Sequence, residues 1–307
     1  MNKTGLKPAK VGVGNGLMAD VMMFSSTSSY SQANNNSGRR ILTNLTPTDP
    51  CMLDTILPTY TGLYRNPHSC THTYGWGKEK VIDIARENVA KLNGAHPKEI
   101  ISTSGAMGLN DMSIKYVARF YKSKKHIIAS QTEHKCVLDL CRHLQDEGYD
   151  ITYVPIKNNG LINLEHLEKE IHPDTALVAI MMVNNEIEVI QQMEEIRKLY
   201  RKQGVFFHTN GAQAMGKIPV EVGKWNVDWM SISSPKVYGP KHIGACRISR
   251  RLKVRIDPLV SGGGQEHGLH SGTLAHSLVI SFGEARRIAQ EDIEVLPSSP
   301  TSPPLSD

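Results

Sequence analysis

From residue 78 onward the chain switches repeatedly between two hydrophobic periods. Residues 78–93 place Val81, Ile82, Ala85, Val89 and Leu92 on one helical face, and Gly94 follows as a C-cap candidate. Residues 100–103 read as a strand, and Ser104, Gly105 and Ala106 lead into a helix that runs to about Tyr121. The alternation continues with strands at 126–130, 151–154, 176–183, from Val205 into His208, and 227–231. Helices are predicted at 135–147, 164–171, 193–203 and 277–293, with Gly148 and Gly204 closing two of them. Regular alternation with fully apolar strands predicts a mostly parallel sheet covered by helices on both faces.

In such a sheet, polar residues at the carboxyl ends of strands gather at one crevice. Two clusters qualify: His208, Thr209, Asn210 and Gln213 after one strand, and Ser233, Ser234, Pro235 and Lys236 after the next. A lysine there, among small hydroxyl residues, is what imine chemistry with an aldehyde cofactor needs, although the same spacing also suits a solvated surface lysine. Gly105 and Ala106 would put free backbone N–H groups at a helix start, suited to a phosphate or to an ordinary helix-entry turn. Cys136 stands two residues from His134, which suggests a thiol and imidazole pair; if both lie in one helix they point to different faces, so a structural role is expected.

Composition narrows the classes. The chain has 307 residues, 39% of them hydrophobic, enough for one large domain or two smaller ones. No apolar run approaches the roughly 18 to 20 residues of a membrane span. A net charge of +5, from 35 basic and 30 acidic residues without a basic block, gives no support to nucleic-acid binding. Five cysteines, without CxxC pairs, argue against a disulfide framework or a zinc site. Residues 1–50 are Ser- and Asn-rich, with basic residues and a single acid before Asp49, the composition of an organellar transit peptide or of a disordered tail. Residues 292–307 form a Pro/Ser-rich tail, leaving 51–291 as the folded domain.

HTNGAQAMGKIPVEV, DWMSISSPKVYGPKHIGA, TEHKCVLD and MVNNEIEV resemble the pyridoxal-phosphate-dependent cysteine desulfurases of the iron-sulfur-assembly type, and the likeness runs from about Leu53 to about Glu291. It implies the large domain of an aspartate-aminotransferase-like fold, with the smaller C-terminal domain of the family expected to be missing. The implied activity converts L-cysteine to L-alanine and passes on sulfur as a persulfide. The implied assembly is a homodimer, or a pairing with an intact desulfurase, working with an iron-sulfur scaffold in mitochondria.

By the same resemblance, Lys236 carries pyridoxal 5'-phosphate, and His134 stacks on its ring and shares in proton transfer. Asn185 and Gln213 approach the ring hydroxyl, and Ala106, Ser233 and Thr273 serve the phosphate, Thr273 that of the neighbouring subunit. Three positions depart from the family pattern. Asn210 replaces an aspartate that keeps the ring nitrogen protonated, Pro235 replaces a histidine before the lysine, and Met107 replaces a phosphate-binding threonine. His270 also stands where that loop has an arginine. Cofactor binding is therefore expected to be weakened. With the nucleophile cysteine of the family belonging to the C-terminal region, the chain is expected to be inactive alone, or to serve as a non-catalytic modulator of an intact desulfurase.

Overall fold

The computed structural model describes residues 48–61, 73–121, 123–201, 203–250, 258 and 260–295. The expected targeting segment, up to residue 47, and the tail from 296 lie outside the described residues.

Seven strands form one sheet in the order β1-β7-β6-β5-β4-β2-β3. They are β1 (Ile100–Thr103), β2 (His126–Ser130), β3 (Asp150–Val154), β4 (Thr175–Ala179), β5 (Phe206–Asn210), β6 (Trp229–Ser233) and β7 (Gly244–Ile248). Strands β3, β2, β4, β5 and β6 pair in parallel, while β7 is antiparallel to both β6 and β1, so β7 alone runs against the others. The carboxyl ends of six strands therefore emerge at one end of the sheet.

Successive strand residues feed opposite layers, as the pleat requires. Ile128, Val178, Met230 and Ile232 join one core with α2 (Thr73–Lys91), α6 (Leu164–Lys169), α7 (Met193–Arg201) and α8 (His276–Val295). Ile127, Ala129, Leu177 and Trp229 join the other, against α3 (Ala106–Asn110), the π-helical turn Asp111–Lys115, α4 (Tyr116–Phe120) and α5 (Lys135–Asp146). Each fully buried Ile or Leu contributes about 1.5–3 kcal/mol. Against α2, α8 comes so close that a Cβ on Gly283 would lie 2.5 Å from the Ala85 backbone, so only glycine fits that crossing.

Three elements differ from the sequence-based expectation. The helix drawn from Ala106 to Tyr121 is interrupted by the π-helical turn, where Ser113 donates from its hydroxyl to the Leu109 carbonyl at 2.7 Å. Helix α1 (Cys51–Thr61) was not foreseen, because Pro58 interrupts its pattern. Strand β7 was missed too, since its GACRI segment holds glycine and a charge.

Candidate functional site

The carboxyl-end loops carry the expected site residues except Thr273 and, in the same segment, His270. From β1 the chain enters α3 through Gly105, held at φ +144°, where a side chain would be strained; Ala106 and Met107 supply the first backbone N–H groups of α3. From β2 it reaches His134, the N-cap of α5, and from β4 it passes Asn184 and Asn185. From β5 it delivers Asn210 to Gln213, and from β6 Ser233 to Lys236. Thr273 is exposed between a 3-10 turn (Glu266–Gly268) and α8, and no described contact ties it to the others.

Pro235 does not displace the lysine turn. Residues Ser234–Val237 form a 3-10 turn whose first positions need no N–H partner, and proline suits them. Proline disfavours a helical residue before it, yet Ser234 opens the turn and the extended residue is Ser233 (φ −112°, ψ 125°). Tyr238, in the left-handed region, closes the turn by donating its N–H to the Ser234 carbonyl.

Electrostatics bring Lys236, His134 and Lys217 together. Burial lowers the Lys236 amine from the ordinary lysine range. His134 is lowered by burial and then by the Lys236 charge, with Glu186 opposing. Lys217 is lowered to about 8, first by burial and then by Lys236 and Arg286, with Glu188 opposing. Its Nζ donates to Gln213 Oε1 at 2.7 Å. An ammonium only donates, so that bond fixes the Gln213 amide with Nε2 as its other end. Beneath the turn, Arg286 is fully buried, lies over the Phe282 ring at 4.8 Å and donates from Nη2 to the Ser233 carbonyl at 3.4 Å. Its Nε and Nη1 have no partner, and burial pushes it down to about 9.

Asn210 is buried and its Oδ1 accepts from the Ala212 N–H at 3.0 Å, which makes Nδ2 the free end of the amide. A ring nitrogen placed there would meet a neutral amide. The loops themselves are held by residues that sequence reasoning did not single out. Glu133 is buried, accepts from the Met181 N–H, and is pushed up to about 8 by burial. Asn184 donates to the Thr132 carbonyl at 2.7 Å and accepts from the N–H groups of Glu186 at 2.8 Å and Ile187 at 3.0 Å. Glu133 and Asn184 thus tie the β2 and β4 loops together across the sheet. The polar pairs TE and NN were the available signal, but only tertiary contact reveals their partners.

The expectation that His134 and Cys136 point apart is overturned. His134 is outside the helix (φ −57°, ψ 141°), so helical spacing does not govern it. Its Nδ1 accepts the Cys136 N–H at 3.2 Å and lies 3.0 Å from Cys136 Sγ. Among the described residues no group of His, Cys, Asp and Glu could hold a metal ion, and no helix is long and apolar enough to cross a membrane.

Comparison with known proteins matches residues 44–296 to the family Aminotransferase class-V. The mitochondrial cysteine desulfurase of Arthroderma benhamiae is 65% identical over 252 residues, which cover 81% of this chain and 50% of that protein. The chain spans about half the length of the curated relatives it matches. A solved NifS-like protein superposes with a TM-score of 0.78 at 37% identity, covering 81% of this chain and 68% of that one. The structure titled SspA in complex with cysteine gives 0.76 at 37% identity, over 83% of this chain and 72% of that one. On its fold, the parallel strand ends that carry Lys236, and these matches, the chain belongs to the class-V aminotransferase family, in its cysteine desulfurase branch.

Proposed function

We propose that this chain binds pyridoxal 5'-phosphate on Lys236 and L-cysteine beside it, as the cofactor-bearing part of a mitochondrial cysteine desulfurase. The observation that carries the reading is a desolvated Lys236 at a strand carboxyl end, beside a Gln213 amide oriented by Lys217. Family membership implies this cofactor. The donor set fits its aldehyde and its phenolic oxygen, whereas Asn210 offers its ring nitrogen only an amide. When bound, the cofactor supplies an electron sink for the substrate carbon. The residues of the chain then have distinct tasks. Lys236 accepts the α-proton of the amino acid, because burial favours its neutral amine. Gln213 and Asn185 orient the phenolic oxygen, while the α3 start and Ser233 receive the phosphate. Weakened electron withdrawal at Asn210 lowers both affinity and rate.

Sulfur transfer needs a thiolate as acceptor. Burial pushes the Cys141 and Cys246 thiols up to about 12, and burial also raises Cys136. A hydrogen bond to Asp49 raises Cys51. These directions disfavour the four described cysteines as acceptor, and the acceptor then comes from an intact desulfurase, so that this chain does not turn over alone. The test is an alanine and sulfide assay with added cofactor, L-cysteine and a dithiol, on the chain and on its fusion to an intact desulfurase C-terminal region. Alanine from the fusion alone is the expected result, and multiple turnovers by the unfused chain would overturn the reading.

A second reading is a binding partner of an intact desulfurase that also meets the iron-sulfur scaffold. Leu53, Leu57 and Tyr60 favour it, at 56%, 59% and 63% exposure along one side of α1. A dimer stable to dilution, lost in Leu57→Lys, is its expected signature.

A further inference from the structure

We infer that His134 acts as a neutral hydrogen-bond donor through Nε2, held in that tautomer by Cys136 and Asn110. The inference stands on this geometry and not on the function proposed above.

The assignment follows from one backbone group. The Cys136 N–H, which can only donate, points at His134 Nδ1 at 3.2 Å, so Nδ1 must present its lone pair. A neutral ring then carries its hydrogen on Nε2, at the edge turned away from the α5 cap. Cys136 Sγ lies 3.0 Å from the same Nδ1. With no hydrogen on Nδ1, a close contact between these atoms requires the hydrogen on sulfur, so the thiol donates to the ring. Sulfur must in turn accept from Asn110, whose Nδ2 lies 3.0 Å away and whose side chain is fully buried. Rotating that amide would set Oδ1 against Sγ and draw the S–H away from Nδ1, leaving two lone pairs facing. Oδ1 has no partner where it stands, which agrees with Nδ2 being the engaged end. The bonds therefore run one way, from Asn110 to Cys136 to His134.

An ion pair of thiolate and imidazolium would need a hydrogen on Nδ1, which the cap N–H opposes. The charged groups around the pair point the same way. Burial and then Lys236 disfavour the imidazolium against a smaller pull from Glu186, and burial, opposed by the Asn110 bond and aided by Glu133, disfavours the thiolate. Cys136 is accordingly a positioning residue and not a nucleophile. An imidazole bearing hydrogen on Nε2 has no lone pair on that edge and cannot take a proton there. To do so it would move its hydrogen to Nδ1, losing both the capping bond and the thiol bond.

The experiment is a two-bond proton–nitrogen correlation spectrum of histidine-labelled, cofactor-free protein across a pH titration, with His134→Gln identifying the signals among the 13 histidines. Wild type is expected in the Nε2–H form. Cys136→Ala, which keeps the backbone donor, should preserve that tautomer and raise the protonation constant of His134 about five-fold, moving its titration midpoint up by about 0.7 pH unit, one ordinary hydrogen bond lost. Cys136→Ser should restore the wild-type titration. A wild-type Nδ1–H tautomer, or a Cys136→Ala titration that coincides with wild type, overturns the inference. Should Cys136→Ala fail to fold, the wild-type tautomer alone decides. Because the measurement uses no cofactor, failure of Lys236 to capture cofactor would sink the proposed function and leave this result standing.

Discussion

At the end of the sheet away from Lys236, opposite charges are matched. Arg247 donates from Nε to Glu99 at 3.1 Å and from Nη1 to the Val227 carbonyl, and Arg197 donates to Asp228 at 3.4 Å, all buried or nearly so, around a cavity of about 750 Å³. At the Lys236 end, like charges are crowded instead. Burial lowers Lys217, Lys236 and Arg286 alike, Lys217 is lowered further by the other two, and Arg286 keeps two nitrogens unpartnered. Matched charges hold strands in place and gain nothing from a ligand. Crowded cations are destabilised until an anion or a neutral amine relieves them, which is the condition a phosphate- and carboxylate-binding site requires.

The contrast can be broken first at the matched end. Glu99→Ala leaves Arg247 buried without its carboxylate, and about 3–5 kcal/mol of stability should be lost in urea unfolding. Cofactor capture per folded molecule should remain unchanged. A loss under 1 kcal/mol would mean that the pair is solvated.

Acid should weaken the sheet next. His208 is fully buried, its Nε2 lies 3.0 Å from Ser231 Oγ, and burial lowers its pKa from 6.5 to about 3. Its folded-state pKa is depressed, so the stability it contributes is complete above pH 6.5 and is lost as pH falls toward 3. Between pH 6.5 and 4.5 the unfolded state goes from about half a proton to nearly one proton more than the folded state, a loss of about 2 kcal/mol from this group. His208→Gln should flatten that part of the stability profile. An unchanged slope would assign acid lability elsewhere.

Much of the sheet was legible because parallel strands buried on both faces read as bare apolar runs, as in IIAS and ALVA. Strand β7 was not, since its antiparallel GACRI carries Arg247, which only the distant Glu99 makes tolerable in the core. Pairing over 148 residues leaves no local trace. The burial of Arg286 was not legible either, because the periodicity of α8 does not reveal that the Ser233 loop covers it. His134 and Cys136 failed for a local reason: helical spacing was applied to a residue that the N-cap conformation removes from the helix. The positions carried by resemblance cluster at the strand ends, yet Glu133 and Asn184, which brace their loops, carry no local sign of that role, because their partners at Met181 and Thr132 lie 48 and 52 residues away.

Two smaller effects sharpen the picture at the crowded end. Asn210→Asp should tighten cofactor binding about tenfold and shift the cofactor's absorbance toward its protonated form, since a carboxylate stabilises a ring cation as an amide does not. If neither changes, the ring does not rest against this residue. Lys236→Met should raise the Lys217 pKa from about 8 by roughly half a unit, because one neighbouring cation is gone while burial remains. Lysine methylene carbon shifts followed against pH would report it, and an unmoved Lys217 would show that the two amines are screened from each other.

The central claim is that Lys236 is the residue this strand-end site was built to present. Borohydride reduction of the chain with saturating pyridoxal 5'-phosphate, followed by peptide mapping, tests it directly. The account expects one fixed adduct, on Lys236, absent from Lys236→Met and undiminished in Glu99→Ala per folded molecule. An adduct on Lys217 or elsewhere, or none at saturation, would contradict it.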